Sequence, residues 1–239
     1  MSYHPVTFLS LGPGHPDLMT IQTVKTLKEA DLVMVPATRS HDGTLQSRAT
    51  AIIGEWCDKN RLRVFELPML KDRQAVSLVY DSIFDDCVKY HHEGRRVVVA
   101  VEGDVSIYAS IHYVMDRLQQ ASVPVVQLAG IPSFIAAAAE AGLSLVSQHE
   151  RLIILPGDAD ATTLRQLLAS RHVVVVMKLS QCQEEVKSLL RQDAHIVCHY
   201  FENVGMPTAF HTNCREEIIN RQMPYFSLCI LSASSFQNK

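Results

Sequence analysis

The chain has 239 residues, 47% apolar and 20% charged, with 22 Lys and Arg against 25 Asp and Glu for a net charge of −3. This is enough apolar material for one large α/β domain or two smaller ones, and it excludes a disordered or low-complexity chain. No basic block is longer than two residues, which excludes the cationic footprint of a nucleic-acid binder, and no apolar run approaches the ~18 residues of a membrane span.

Val6 to Leu11 reads as a short strand. It ends in Gly12-Pro13-Gly14-His15-Pro16-Asp17, and a helix is expected from about Leu18 to Ala30. The order of strand, glycine loop and helix suggests a dinucleotide fingerprint, but position 17 is Asp where a third glycine belongs, and two prolines remove N–H groups from any phosphate cradle. Residues 31–35 form the next expected strand, stopping at Pro36 and followed by a polar loop over 37–46. Leu45 to Trp56 reads as a helix, Arg63 to Leu67 as a strand, and Met69 to Arg73 as a basic loop. A long helix from about Gln74 to Tyr90 leads to Val97-Val98-Val99-Ala100-Val101, an apolar run typical of a strand buried on both faces.

That run stops at Glu102-Gly103-Asp104, and Ile107, Ile111, Val114, Met115 and Leu118 then follow helical spacing. A glycine turn and a carboxylate thus lie at the carboxyl edge of the sheet, where open α/β sheets bind ligands. From the residues alone, Asp104 serves equally as a helix cap. Val123 to Leu128 is the fifth strand, and the alanine-rich run 134–141 is a helix suited to close packing. Beyond it, strands are expected at Arg151–Leu155, His172–Met177, 194–200 and 225–231, with helices at 163–169, 183–190 and 215–220. Turns at Gly157-Asp158 and 203–207 allow strand reversal, and the tail from Ser232 reads as solvated. The expected fold is therefore two α/β domains, 1–129 with a mainly parallel five-stranded sheet and 130–239 with a mixed sheet.

Common catalytic signatures are missing: no phosphate-loop motif, no Gly-x-Ser-x-Gly elbow and no His-Glu-x-x-His. Eleven histidines form no metal pattern; His195 and His199 lie too far apart along a strand to chelate one ion, and His91 and His92 read as a solvated helix end. Six widely spaced cysteines without Cys-x-x-Cys predict buried thiols in a reducing cytoplasm. The first residues lack the cationic region and apolar core of a signal peptide. Glycine-bearing loops with few acid–base groups suit a transferase whose reagent is already activated, such as S-adenosylmethionine.

Four segments carry a family resemblance: Gly12-Pro13-Gly14-His15-Pro16-Asp17-Leu18-Met19-Thr20, residues 28–33, Glu102-Gly103-Asp104, and Ala129-Gly130-Ile131-Pro132-Ser133-Phe134. Together they resemble the tetrapyrrole methyltransferases of cobalamin and siroheme synthesis. Residues 66–69, 150–156, 176–178 and 201–205 are most similar to the precorrin-2 or cobalt-factor II C20-methyltransferases. The resemblance implies a homodimer of two α/β domains with the ligand cleft between them, which uses S-adenosylmethionine, releases S-adenosylhomocysteine and takes a cyclic tetrapyrrole acceptor; composition and spacing add the expectation of no nucleic acid, no membrane and no protein-held metal. Carried over residue by residue, the donor site is Val101, Glu102, Gly103, Asp104, Ile107 and Tyr108, with Ser133, Phe134, Ala137, Met177, Tyr200 and Thr208. The main chain of 101–108 would hold the donor's charged ends. Gly12, Gly14, Arg39, Lys71 and Arg73 would face the acceptor and its carboxylates, and Asp104 would orient the acceptor or take a proton.

Three positions depart from the family pattern: His15, Ala129, and Val105 in place of a proline, which restores an N–H and is expected to loosen the turn. The alternatives left open are transfer to another tetrapyrrole carbon (C11, C17 or those of uroporphyrinogen III) and a noncatalytic nucleoside-binding dimer.

Overall fold

A computed structural model describes residues 4–39, 43–67 and 73–233, the side chains of 73–76 excepted. The chain divides into two compact units, Met1–Pro132 and Ser133–Lys239.

Among the described residues the first unit contains β1 (Val6–Ser10), α1 (Ile21–Glu29), β2 (Leu32–Arg39), β3 (Leu45–Gln46), α2 (Arg48–Ile53), β4 (Leu62–Glu66), α3 (Arg73–His92), β5 (Val97–Val101), α4 (His112–Gln120) and β6 (Val125–Leu128). The sheet runs β3-β2-β5-β1-β6 with β4 also on β2. Its five longer strands are parallel, and only the two-residue β3 is antiparallel. Val97 and Val99 of β5 pack with Phe8, Met34, Ile83 and Leu118 into the core on the α3–α4 side. By the two-residue pleat, Val98, Ala100 and Glu102 face the other way.

Several boundaries differ from expectation for local reasons. β2 does not stop at Pro36. The Ala37 carbonyl accepts from Leu67 N–H at 2.8 Å, so Ala37 faces β4 and Pro36 faces away, beyond the last residue, Met34, that pairs with β5. Pro36 therefore needs no N–H there, and its carbonyl accepts the Ser47 hydroxyl at 2.7 Å. Residues 37–39 and 45–46, expected as loop and helix, are strand; α2 starts only at Arg48, where Ser47 caps it by accepting from Thr50 N–H. α1 likewise begins at Ile21 behind the Thr20 cap, after a 3₁₀ turn at Pro16–Leu18. α4 begins at His112, not near Ile107, because Tyr108 holds a left-handed φ of 51° that breaks the helical path. His91, expected as solvated, is buried, with Nδ1 2.8 Å from the His4 carbonyl.

The second unit contains α5 (Ser133–Glu140), β7 (Arg151–Leu155), α6 (Ala161–Ala169), β8 (His172–Met177), α7 (Gln183–Gln192), β9 (Ile196–Glu202), β10 (Phe210–Thr212), α8 (Arg215–Asn220) and β11 (Ser227–Ala233). Its sheet order is β10-β9-β11-β8-β7, with β7 and β8 parallel and the other pairs antiparallel. The chain thus does not reverse at Gly157-Asp158; the reversal comes at 203–209, leading into β10, a strand too short to read from the sequence. Ser232 and Ala233 pair with Val197 and Ile196 instead of forming a solvated tail; 234–239 lie outside the described residues. Leu164, Val186, Leu189 and Ile218 of the helices close over Val174, Val176, Tyr200 and Cys229. Five cysteines are buried, Cys214 is exposed, and all six are unbridged. No described helix is long and apolar enough to cross a membrane.

The ends of three parallel strands in the first unit are joined by one hydroxyl. Ser10 Oγ donates to the Leu128 carbonyl at 2.7 Å and accepts from Val105 N–H at 2.9 Å. Gly130 makes room for this junction: a Cβ there would lie 2.4 Å from Ser10 Cβ and 2.9 Å from the Gly103 carbonyl oxygen. Ser10→Ala is predicted to lower unfolding free energy in urea by about 2 kcal/mol, since it leaves a buried donor and acceptor without partners, and Gly130→Ala by at least as much through overpacking. Losses below about 0.5 kcal/mol in both variants would contradict the junction's role.

Candidate functional site

β5 delivers Glu102, Gly103 and Asp104 to the carboxyl edge of the first sheet. Gly103 has φ +71°, a region that L side chains avoid, and a Cβ at this position would meet nothing within 4 Å. One side of the turn is therefore open. Its other side is braced by Gly12: Gly103 N–H donates to the Gly12 carbonyl at 2.7 Å, and Gly12 N–H returns to the Gly103 carbonyl at 3.1 Å. A Cβ on Gly12, which has φ +78°, would lie 2.8 Å from the Leu18 carbonyl oxygen. Gly12 and Gly14 are both buried, so Gly12 supports the turn from behind.

Part of the main chain of this turn is engaged inside the unit. The Val101 carbonyl accepts from Leu11 N–H, Val105 N–H donates to Ser10, the Val105 carbonyl meets His112 Nε2 at 2.8 Å, and Ile107 N–H donates to the Asp104 carbonyl. These bonds occupy part of the main chain of 101–108, the stretch expected to hold a donor's charged ends. The turn also offers the open side of Gly103, half-buried Val101 and Ile107, and Tyr108 left 43% exposed. At Val105, where the turn is expected to loosen, the N–H that proline would lack is the one tied to Ser10.

Asp104 is buried and acts as a strut. One carboxylate oxygen accepts from Ser106 N–H at 2.8 Å and from the Ser106 hydroxyl, and the other from Gly130 N–H at 2.6 Å. Burial works to raise its pKa, but the Ser106 and Gly130 donors outweigh it and hold the carboxyl below its usual value. An acid so held is a weak base, and its oxygens point into the protein's own loops.

Glu102 turns toward the α2 side of the sheet, where Arg48 Nε lies 3.1 Å from its carboxylate. Burial raises the Glu102 pKa, with Arg48 opposing. The sequence reading missed Arg48, which resembles an ordinary first-turn helix charge, and Ser10, a lone polar residue in an apolar strand. Arg39 is exposed, and its guanidinium is taken: Nε donates to Glu66 at 2.9 Å, Nη2 makes the second arm of that fork, and Nη1 donates to the Gly43 carbonyl at 2.7 Å. Lys71 and the Arg73 side chain lie outside the described residues.

In the second unit Ser133 opens α5, half-buried, and Phe134 and Ala137 are buried on the same helix. Met177 ends β8, half-buried, and Thr208 is exposed between β9 and β10. Tyr200, expected as a donor contact, is fully buried, and its ring packs in the second unit's core. Its hydroxyl donates to Glu202 at 2.6 Å, and Arg221 binds the same carboxylate. Burial and that carboxylate push the Tyr200 phenol well above its usual pKa. Because Val176 shares the core with Tyr200, Met177 points to the opposite face of the sheet; the two side chains are not brought together.

The family model described as Tetrapyrrole (Corrin/Porphyrin) Methylases matches residues 5–217. A relative named precorrin-2 C(20)-methyltransferase, from Sinorhizobium sp, is 27% identical over 233 residues, covering 92% of this chain and 91% of its own. A probable cobalt-precorrin-2 C(20)-methyltransferase from Methanocaldococcus jannaschii is 26% identical over 189 residues, 79% of this chain and 78% of that one. Among solved structures, the uroporphyrin-III C-methyltransferase of Thermus thermophilus in complex with S-adenosylhomocysteine has the same fold, with TM-score 0.66 at 18% identity, covering 97% of this chain and 99% of that chain. With nearly nine-tenths of its length inside the family match and the glycine edge in place, the chain belongs to the tetrapyrrole (corrin/porphyrin) methylases, enzymes that take their methyl group from S-adenosylmethionine.

Proposed function

We propose that this protein, acting as a cytoplasmic homodimer, methylates C20 of precorrin-2 or of cobalt-factor II during corrin-ring synthesis. The observation that carries the position on the ring is the pair of relatives named for C20 that align along most of the chain. The observation that carries the donor is the braced glycine turn, whose empty side at Gly103 fits a ligand pressed against backbone. In this reading residues 1–129 carry the acceptor side and 130–239 complete the donor site. Val101, Glu102, Gly103, Ile107 and Tyr108 contact the donor, joined by Ser133, Phe134, Ala137, Met177 and Thr208.

Bound S-adenosylmethionine supplies a methyl group activated by a sulfonium. The chain's task is then to align it with an electron-rich ring carbon, exclude water and keep the geometry fixed. Displacement at the methyl would leave neutral S-adenosylhomocysteine as the leaving group, and the proton displaced from the ring carbon would pass to solvent. Asp104 contributes by position: it locks the turn after β5 to Gly130. Arg39 engages an acceptor carboxylate by exchanging it for Glu66, a swap of like groups in an exposed fork.

Two measurements test this. Incubation with methyl-labelled donor and precorrin-2 or cobalt-factor II, followed by NMR, should place the label at C20; label at another carbon would reject the assignment. For Asp104, a folded pKa below the unfolded value means that its contribution to stability is complete above the ordinary carboxylate pKa and is lost as pH falls through the folded one. Asp104→Asn should therefore cost about 1–3 kcal/mol near neutral pH, where an amide faces a backbone donor, and should lose less stability than the parent on acidification below about pH 4. Equal stability of the two proteins near neutrality would contradict the strut.

A further inference from the structure

Val105 is the second residue of a four-residue turn that Ile107 N–H closes on the Asp104 carbonyl at 3.1 Å. Neither Val105 nor Ser106 has a positive φ, which makes the turn type I, and the second place of such a turn suits proline with its fixed φ. The local backbone therefore accepts the proline of the family pattern. The facing strand does not, because Val105 N–H donates to Ser10 Oγ at 2.9 Å. A proline δ-carbon would replace the amide hydrogen about 1.5 Å from nitrogen, and so would stand less than about 2 Å from that oxygen. Ser10 Cβ, one bond beyond the oxygen, would be at most about 3 Å from the same carbon, still inside carbon–carbon contact distance. Positions 10 and 105 thus fit in two combinations, serine with an N–H or glycine with proline.

The open side of Gly103 lies two residues before Val105. We propose that Ser10 is a positioning residue for the methyl donor: its bond to Val105 N–H takes the place of a proline ring and holds the turn after Gly103 in the shape the donor meets. Ser10 is itself fully buried, so it acts through Val105 and not by touching the ligand. A turn held in this way spares the donor the entropy of ordering it. The inference rests on the donor reading of the Gly103 turn and adds to it the residue on which affinity at that turn depends.

The test is calorimetric binding of S-adenosylhomocysteine to the full chain, with circular dichroism as the check on folding. Ser10→Gly should weaken binding about tenfold, the worth of one buried hydrogen bond. Adding Val105→Pro to Ser10→Gly should restore affinity to within about threefold of the parent, although the chain then carries two substitutions. The Leu128 carbonyl lacks its Ser10 donor in both variants, so this recovery isolates the Val105 bond. Leu164→Ala, in the core of the second unit, should lose stability and keep parental affinity, which separates positioning from stability. Parental affinity in folded Ser10→Gly would overturn the inference and leave the donor site standing. So would equal weakening in Leu164→Ala, or a double variant that fails to fold or binds no better than Ser10→Gly. Failure of the parent protein to bind the ligand would overturn the donor reading and this inference with it.

Discussion

The Ser10 hydroxyl is the interaction on which the rest of the first unit's ligand edge depends. Parallel strands end at the carboxyl edge of a sheet without a shared turn to join them, so their following loops have no local reason to keep a common arrangement. Ser10 gives them one: its single hydroxyl reaches the end of β6 and the turn after β5, and its own carbonyl is held by Thr23 of α1 at 3.0 Å. Gly130 can approach only because it lacks a Cβ, and Asp104 then closes the arrangement through Gly130 N–H. The glycine turn is thus fixed before any ligand arrives, and binding need not meet the entropy of ordering a loop.

This view changes the meaning of Val105. A proline after Gly-Asp stiffens the chain through its ring but offers no donor. Here the same position contributes an N–H to Ser10 and an apolar side chain fully buried in the first unit's core. The turn exchanges covalent rigidity for a hydrogen bond and packing. At this position the chain thus has a hydrogen bond and buried packing where the family pattern has a proline ring.

Features carried by runs of residues were legible in the sequence. The valine strand β5, the parallel order of the first sheet, the mixed order of the second and the glycine loops all announce themselves by period or by composition. What escaped depends on single residues meeting across long stretches of chain. Ser10 meets Val105 and Leu128 from 95 and 118 positions away, and neither distance leaves a local trace. Pro36 looked like a strand end because proline lacks an N–H, yet β5 had already left that side. The helical spacing from Ile107 was real as apolar patterning, but the left-handed Tyr108 delayed the helix to His112. Tyr200 was placed by motif, and burial then assigned its ring to the core.

Charge at the edge is arranged with similar economy. Arg39 already holds a carboxylate, Glu66, and Glu102 already faces a guanidinium; each pair presents the chemistry of an incoming group in advance. The empty side of Gly103 is the feature on which the proposed donor site rests. The most direct measurement is calorimetric binding of S-adenosylhomocysteine to the Gly103→Trp variant, with circular dichroism as the check on folding. A side chain at φ +71° costs only about 1–2 kcal/mol, so the variant should keep its spectrum, while the indole fills the space and weakens binding at least about a hundredfold, a loss of roughly 2.7 kcal/mol. Parental affinity in a folded Gly103→Trp protein would contradict the account.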